Sequence, residues 1–338
     1  MSASGRLDTQ GVWEATAAQA AQLEQLVAQL AVLAPVAPVT AWVLLGTGSG
    51  RLATQVVAAF VGAKDRRPIV WLADHALPAF VGPGTGVLTV EGQGDGALGP
   101  VRTEARRRGA TVYALAAGDA GAGDAGAGDE PLLSLPTVGS TGRVAVAHAV
   151  AGALGVLAAG TAEHEGALTA LGDGVRQLHR RSALLADASA ADDVARRIGR
   201  TVPLIYGAGL PGLAARHWKA QVNLTAKTPA FAGLVPDVLD DELAGWGQDG
   251  DVTRQVLTLI ALRHQGEIPE VAAAYDTALT AVDEVMGDVV SVWAEGESDL
   301  IRFMDLAYVG DIVSLSLAVR EGIDPGPVSI GAGHGLAR

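Results

Sequence analysis

Two stretches of this chain repeat one pattern: a short apolar run ends in a glycine-rich turn and passes straight into a helical segment. Ala41-Trp42-Val43-Leu44-Leu45 leads into Gly46-Thr47-Gly48-Ser49-Gly50 and a helix predicted over Arg51–Gly62. Val202–Tyr206 (VPLIY) leads into the glycines of Gly207–Gly212 and a helix predicted over Leu213–Asn223. Continuous apolar runs bounded by turn residues suit strands buried on both faces. A strand that feeds a helix through glycines opens a βαβ unit, and hence a parallel, doubly wound sheet. Further strands are expected within Pro68–Ala73, Gly86–Val90, Thr111–Ala116, Gln255–His264 and Val289–Ala294, and order resumes at Leu132–Pro136. Helices are expected over Thr16–Leu33, Gly142–Gly160, Leu168–Leu185, Glu270–Met286 and Leu300–Arg320, with another ending at Arg102–Gly109. The restart of the pattern points to an internal duplication, and 338 residues suit two domains of about 150 residues each. The expected organisation is a helical N-terminal extension (1–38), a first α/β domain (39–160), a helical connector (161–198) and a second α/β domain (199–338).

Composition narrows the function. The apolar fraction is 49% and the mean hydropathy +0.29, yet no uninterrupted apolar run reaches the ~18 residues of a membrane span. Val144–Gly160, the most apolar stretch, contains His148 and several glycines and reads as a buried helix. The N-terminus lacks the basic, apolar and small-residue sequence of a secretion signal, so a cytoplasmic location is expected. With no cysteine there are no disulfides, thiolate metal sites or cysteine nucleophiles. A net charge of −13 and a pI near 4.9 argue against nucleic acid and anionic membranes as partners, and mildly against an anionic sugar phosphate. Arg106-Arg107-Arg108 reads as a cationic helix end. Gly118–Glu130 (GDAGAGDAGAGDE) is low-complexity and is expected to be a mobile surface loop. The seven histidines are scattered without HExxH or carboxylates at metal spacing, and no G-x-S-x-G elbow occurs. No metal and no cofactor are expected.

The loop Gly46–Gly50 has two chemical readings besides simple chain turning. Backbone N–H groups at a helix N-terminus form an anion pocket without charged side chains. Gly46 and Gly48 also match part of the dinucleotide fingerprint G-x-G-x-x-G/A, but Arg51 stands where it needs a small residue. Asp65 and Asp74 only flank the distance, about 20 residues, at which a ribose-binding acid is expected.

The segment YGAGLPGLAARHWKAQVNLTAKTPAFAGLVPDVLDDELAGW, Tyr206–Trp246, resembles the bifunctional phosphoglucose/phosphomannose isomerases of the sugar isomerase (SIS) family, and the resemblance extends over roughly 40–328. It implies two tandem SIS-type doubly wound domains and a homodimer. Asn223, Ala226, Lys227 and Pro229 fall on the family's NENAKxPA, but its proton-transfer glutamate falls on Leu224. In the family's NHNE the histidine linked to ring opening falls on Asp240, the asparagine on Asp241 and the glutamate on Glu242. Gly46–Gly50 takes the place of GMGGS, with Ser49 one step from the family serine. The phosphate loop S-Y-S-G-N-T-E-E-T corresponds to the segment from Glu91 to Gly96 and beyond, where only Gly94 matches. Hydroxyls are lost there and Glu91 and Asp95 arrive, a substitution expected to repel a phosphate. Arg143, preceded by Ser140 and Thr141, falls on the family's active-site arginine, and Ser316 stands near the family's last-helix lysine. His217 falls where the family has arginine and reads as a packing residue.

These residues lead to an isomerase-like protein that binds a sugar or sugar phosphate in a cleft between its domains, with isomerase activity lost or altered. Its expected contacts are Gly46, Gly48, Ser49, Gly50, Gly94, Ser140, Thr141 and Arg143. Two alternatives stand beside it: an active aldose–ketose isomerase with Glu242 or Asp240 as a displaced base, and a non-catalytic structural or partner-binding dimer.

Overall fold

A computed structural model describes residues 7–92, 96–118, 132–185, 189–246 and 248–326. The chain divides into two compact units. One is Gln10–Arg176; the other is built from Gln177 onward and includes Thr9.

The first unit opens with α1 (Val12–Ala17) and α2 (Gln19–Ala31), then β1 (Ala41–Gly46), α3 (Ser49–Gly62), β2 (Ile69–Trp71), β3 (Thr85–Glu91), α4 (Gly99–Arg107), β4 (Thr111–Ala117), β5 (Leu133–Leu135), α5 (Val146–Ala158) and α6 (His164–Leu185), which carries the chain into the second unit. The strands form an all-parallel sheet in the order β2-β1-β3-β4-β5. β3 is buried along its whole length and β1 at all but its first residue, as suits their largely apolar sequences. Val43, Leu45 and Val87 pack with Leu98, Val101 and Ala105 on one face. Every residue of α5 is buried, so it is an interior helix rather than an amphipathic one.

The second unit continues with α7 (Ser189–Ile198), β6 (Val202–Gly207), α8 (Gly209–Gln221), β7 (Phe231–Leu234), α9 (Leu243–Trp246), α10 (Gly250–Val256), β8 (Leu257–His264), α11 (Pro269–Val282), β9 (Asp288–Ala294) and α12 (Asp299–Arg320). Its sheet is again parallel, in the order β7-β6-β8-β9. That order repeats β2-β1-β3-β4, so the duplication read from the two glycine turns is a duplication of topology.

Some boundaries differ from expectation. The N-terminal helix breaks at Ala18 into α1 and α2, and Val32 caps α2 in solvent rather than extending its apolar face. β7 was not expected: it is a four-residue edge strand whose Phe231 and Leu234 are exposed, so it carries no burial pattern. α5 starts at Val146, and Val144 instead bridges back to Thr137. Arg143 therefore lies ahead of the helix rather than within its first turn. The Gly118–Glu130 segment lies outside the described residues apart from Gly118. Among the described residues no helix is long and apolar enough to cross a membrane.

Candidate functional site

In an open parallel sheet the chain leaves adjacent strands in opposite directions at one place, and the crevice beyond their carboxyl ends is where ligands bind. In the first unit that place is the end of β1 and β3. Three loops meet there. Thr47 donates its N–H to Val90 O at 3.0 Å. Ser49 Oγ donates to Val144 O at 2.7 Å. A Cβ on Gly92 would stand 3.4 Å from Gly142 O. The candidates Gly46, Gly48, Ser49, Gly50 and Arg143 are thus gathered in one neighbourhood, joined by the loop that carries Ser140 and Thr141. Gly94 lies outside the described residues.

The glycines have a packing duty in this corner. A Cβ at Gly50 would lie 2.3 Å from Val90 O, and one at Gly46 would lie 2.2 Å from the Gly50 carbonyl carbon. Only glycine lets α3 start so close to the sheet. The hydroxyls also have internal duties. Thr141 Oγ1 donates to Val138 O at 2.6 Å and accepts the Arg143 N–H at 3.1 Å. Ser140 is exposed and its N–H donates to Gln10 O at 3.0 Å. Since Ser49 and Thr141 give their protons to main-chain oxygens, they present lone pairs to a ligand. Thr47, which sequence reasoning missed, is buried, and its Oγ1 has no hydrogen-bond partner among the described residues.

Glu91 does not act as the sequence suggested. Its side chain is buried; Oε1 accepts the Leu98 N–H at 2.8 Å and Oε2 is paired with Arg102 Nη1. Leu98 is the N-cap of α4, so the carboxylate sits at that helix's positive end and is neutralised from within. It is a bound internal anion rather than a loose charge that repels a ligand. Asp95, the second acid of this loop, lies outside the described residues.

In the second unit the corresponding crevice lies beyond β6 and β8. The turn after β6 is Gly207-Ala208-Gly209, without a polar side chain. Tyr206, near the end of β6, donates its hydroxyl to Glu242 Oε2 at 2.8 Å and accepts from Trp246 Nε1 at 3.2 Å. Burial, reinforced by the Glu242 carboxylate, pushes the Tyr206 phenol well above the usual tyrosine range. Glu242 is therefore held at the carboxyl end of β6, whereas Asp240 is exposed. Leu224 lies on a π-helical turn, Val222–Ala226, that follows α8. Lys227 ends the turn at φ 54°, a left-handed conformation rare for a side chain other than glycine, and its Nζ bonds Leu224 O. π turns and residues in the left-handed region recur at functional sites.

Other polar groups are buried on α12. His217 Nε2 lies 2.7 Å from Asp311 Oδ1, both buried, so the packing role read for His217 includes a carboxylate partner. Asp305, with no exposure, accepts from Arg181 Nε at 2.9 Å and Nη2 at 2.6 Å, from Gln177 at 2.8 Å and from Glu295 N–H at 2.9 Å. The signal was available in the sequence: two aspartates interrupt an otherwise apolar helix. Among the described residues no group of three or more His, Asp or Glu is arranged to hold a metal ion.

With this geometry in hand, comparison with known proteins is direct. Residues 187–330 match the family of bacterial phospho-glucose isomerase C-terminal SIS domains. That match covers less than half of the chain, and over it the chain is similar to an SIS domain. The chain resembles the bifunctional phosphoglucose/phosphomannose isomerase of Caldicellulosiruptor bescii, at 23% identity over 85% of this chain and 86% of that protein. That of Aquifex aeolicus is 27% identical over 40% of this chain and 42% of its own length. Among solved structures, a glucose-6-phosphate isomerase-like protein from Thermus thermophilus superposes with a TM-score of 0.57, at 19% identity over 92% of this chain and 93% of its own. A Clostridium difficile 630 protein with a proposed phosphosugar isomerase role gives 0.72, at 13% identity over 96% and 97%. At such identities the structures establish the fold, two SIS-type doubly wound sheets in tandem with helices before them.

Proposed function

We propose that this SIS protein binds a carbohydrate derivative and has lost or altered its aldose–ketose isomerase activity. The observation that carries the reading is Leu224. It lies on the π turn that ends in the left-handed Lys227, so the special backbone is present while the side chain is aliphatic. Aldose–ketose exchange needs a base to move a proton between C1 and C2, an effect of about 10²–10⁴-fold in rate, and leucine supplies none. The ligand contacts would come from the Gly46–Gly50 turn, Gly94, Ser140, Thr141 and Arg143, in a homodimer located in the cytoplasm. A coupled assay on glucose 6-phosphate and mannose 6-phosphate tests the reading. The wild type is expected to give no turnover at micromolar enzyme, and Leu224→Glu is expected to gain some. Turnover by the wild type at ordinary enzyme rates would refute it.

One observation favours a second reading, an active isomerase with a displaced base. The Glu242 carboxylate is fixed by the Tyr206 hydroxyl at the carboxyl end of β6, whereas Asp240, the other candidate, is exposed. Wild-type turnover abolished by Glu242→Gln would establish it. A third reading, a structural dimer, predicts no thermal shift with any sugar or sugar phosphate.

A further inference from the structure

The carboxyl ends of β1 and β3 carry a charge arrangement that bears on what the first unit's crevice accepts. Glu91 is one residue beyond Val90, the partner of Gly46 in the sheet register. Its carboxylate is buried against the start of α4, holding the Leu98 N–H at 2.8 Å and paired with Arg102. A helix start with a buried guanidinium beside it is a seat built for an anion. Here the chain supplies the anion itself.

The second unit repeats the device with opposite charge. Arg263 is one residue beyond Leu262, the partner of Gly207. It too is buried and paired internally, with Glu267 Oε2 at 2.7 Å and Asp276 Oδ1 at 3.2 Å, its guanidinium 4.7 Å from the Tyr275 ring centre and 5.0 Å from that of Trp293. At the same register position of both sheets, a buried charge is thus matched by the protein's own counter-charge.

Beyond this pair the crevice keeps the Arg143 cation and a set of uncharged groups. Thr47, whose N–H bonds the Val90 carbonyl next to Glu91, is 8% exposed, and its hydroxyl has no partner among the described residues. An unmatched buried hydroxyl is costly and asks for a ligand group that donates or accepts. Ser49 and Thr141 offer lone pairs only, having given their protons to Val144 O and Val138 O. A phosphate dianion has no proton to donate to such oxygens, whereas a sugar hydroxyl has.

We propose that Glu91 is a resident anion: it fills the seat at the start of α4 and keeps a ligand phosphate out of that seat, so that the side of the crevice at Thr47 takes the hydroxyl-bearing, uncharged part of a carbohydrate. The choice of ligand part rests on the carbohydrate-binding reading above; the filled seat does not.

The test titrates the full chain with inorganic phosphate, glucose and glucose 6-phosphate, read by calorimetry and thermal shift. Glu91→Ser empties the seat, and Glu91→Gln, closer in shape, guards against a folding failure. Glu91→Ser is expected to bind phosphate more tightly than the wild type by about tenfold or more, the scale of one charge-assisted hydrogen bond, and Glu91→Gln, which removes the charge but still fills the seat, by less. Adding Arg102→Met to Glu91→Ser should abolish that gain. Thr47→Val should weaken glucose binding without touching the phosphate response. Phosphate binding by the wild type equal to that of the variants, or no gain in either Glu91 variant, overturns the proposal. If Glu91→Ser gains phosphate but no protein binds either sugar, the resident anion stands and the carbohydrate reading falls.

Discussion

Single buried carboxylates decide much of the local behaviour of this protein. Asp305 is the clearest case, because it sits with no exposure on an apolar helix and accepts from both Nε and Nη2 of Arg181. Removing one member of a buried, fully hydrogen-bonded pair leaves the other charge stranded, at a cost of about 3–5 kcal/mol. Asp305→Asn, which keeps the shape and removes the charge, should lower the urea midpoint by a corresponding amount, with the denaturant slope unchanged. A surface ion pair such as Arg107 with Glu104 should be nearly silent in the same measurement. At this scale the sequence was a partial guide. It offered Glu91 as a charge facing a ligand, and the fold makes it a charge facing Arg102. Nothing in the sequence shows that residue 102, eleven positions away, comes back to the same point.

Elements meet in this molecule where small residues allow it. α8 and α12 approach so closely at Gly310 that a Cβ there would lie 2.5 Å from Trp218 Cδ1 and Nε1. Trp218 cannot retreat: it is fully buried and its Nε1 donates to Leu306 O at 2.7 Å. Gly310→Ala is therefore expected to destabilise by about 1–3 kcal/mol despite the better helix propensity of alanine. That corresponds to a melting temperature lower by roughly 2–4 °C per kcal/mol for a unit of this size, measured by calorimetry. The long buried elements were legible in sequence because burial on all sides leaves a predominantly apolar run, as in β1, β3, α5 and, despite its two buried aspartates, α12. β7 was not, since an edge strand of four residues with two exposed apolar side chains has neither length nor alternation to announce it. The π turn at Val222–Ala226 was equally hidden, because its apolar spacing continues that of α8.

Across the whole molecule, all four tyrosines have phenols held above their ordinary range, in each case first by burial. The folded form therefore favours the neutral phenol. Its contribution is fully present below the unfolded value of about 10 and is lost as pH rises through the higher folded values. Absorbance near 295 nm is expected to show less phenolate in the native protein at pH about 10 than in the unfolded chain. Phenolate should appear together with alkaline unfolding, seen by circular dichroism. Native-state ionisation of the tyrosines at or below their ordinary range would contradict the burial assigned to them.

The sequence by itself determined the parallel α/β architecture and its duplication. Those follow from local patterning, apolar runs and glycine turns, which each short segment carries complete. It also carries the resemblance by which Leu224 falls where the family's base is expected, since identity at a position needs no coordinates. Tertiary structure alone decided which charges are spent. The ion pair that neutralises Glu91, the phenol that holds Glu242 and the carbonyls that take the protons of Ser49 and Thr141 are contacts that only the folded chain brings together. A side chain's chemistry is set by what folding brings against it, and local pattern carries no record of that partner.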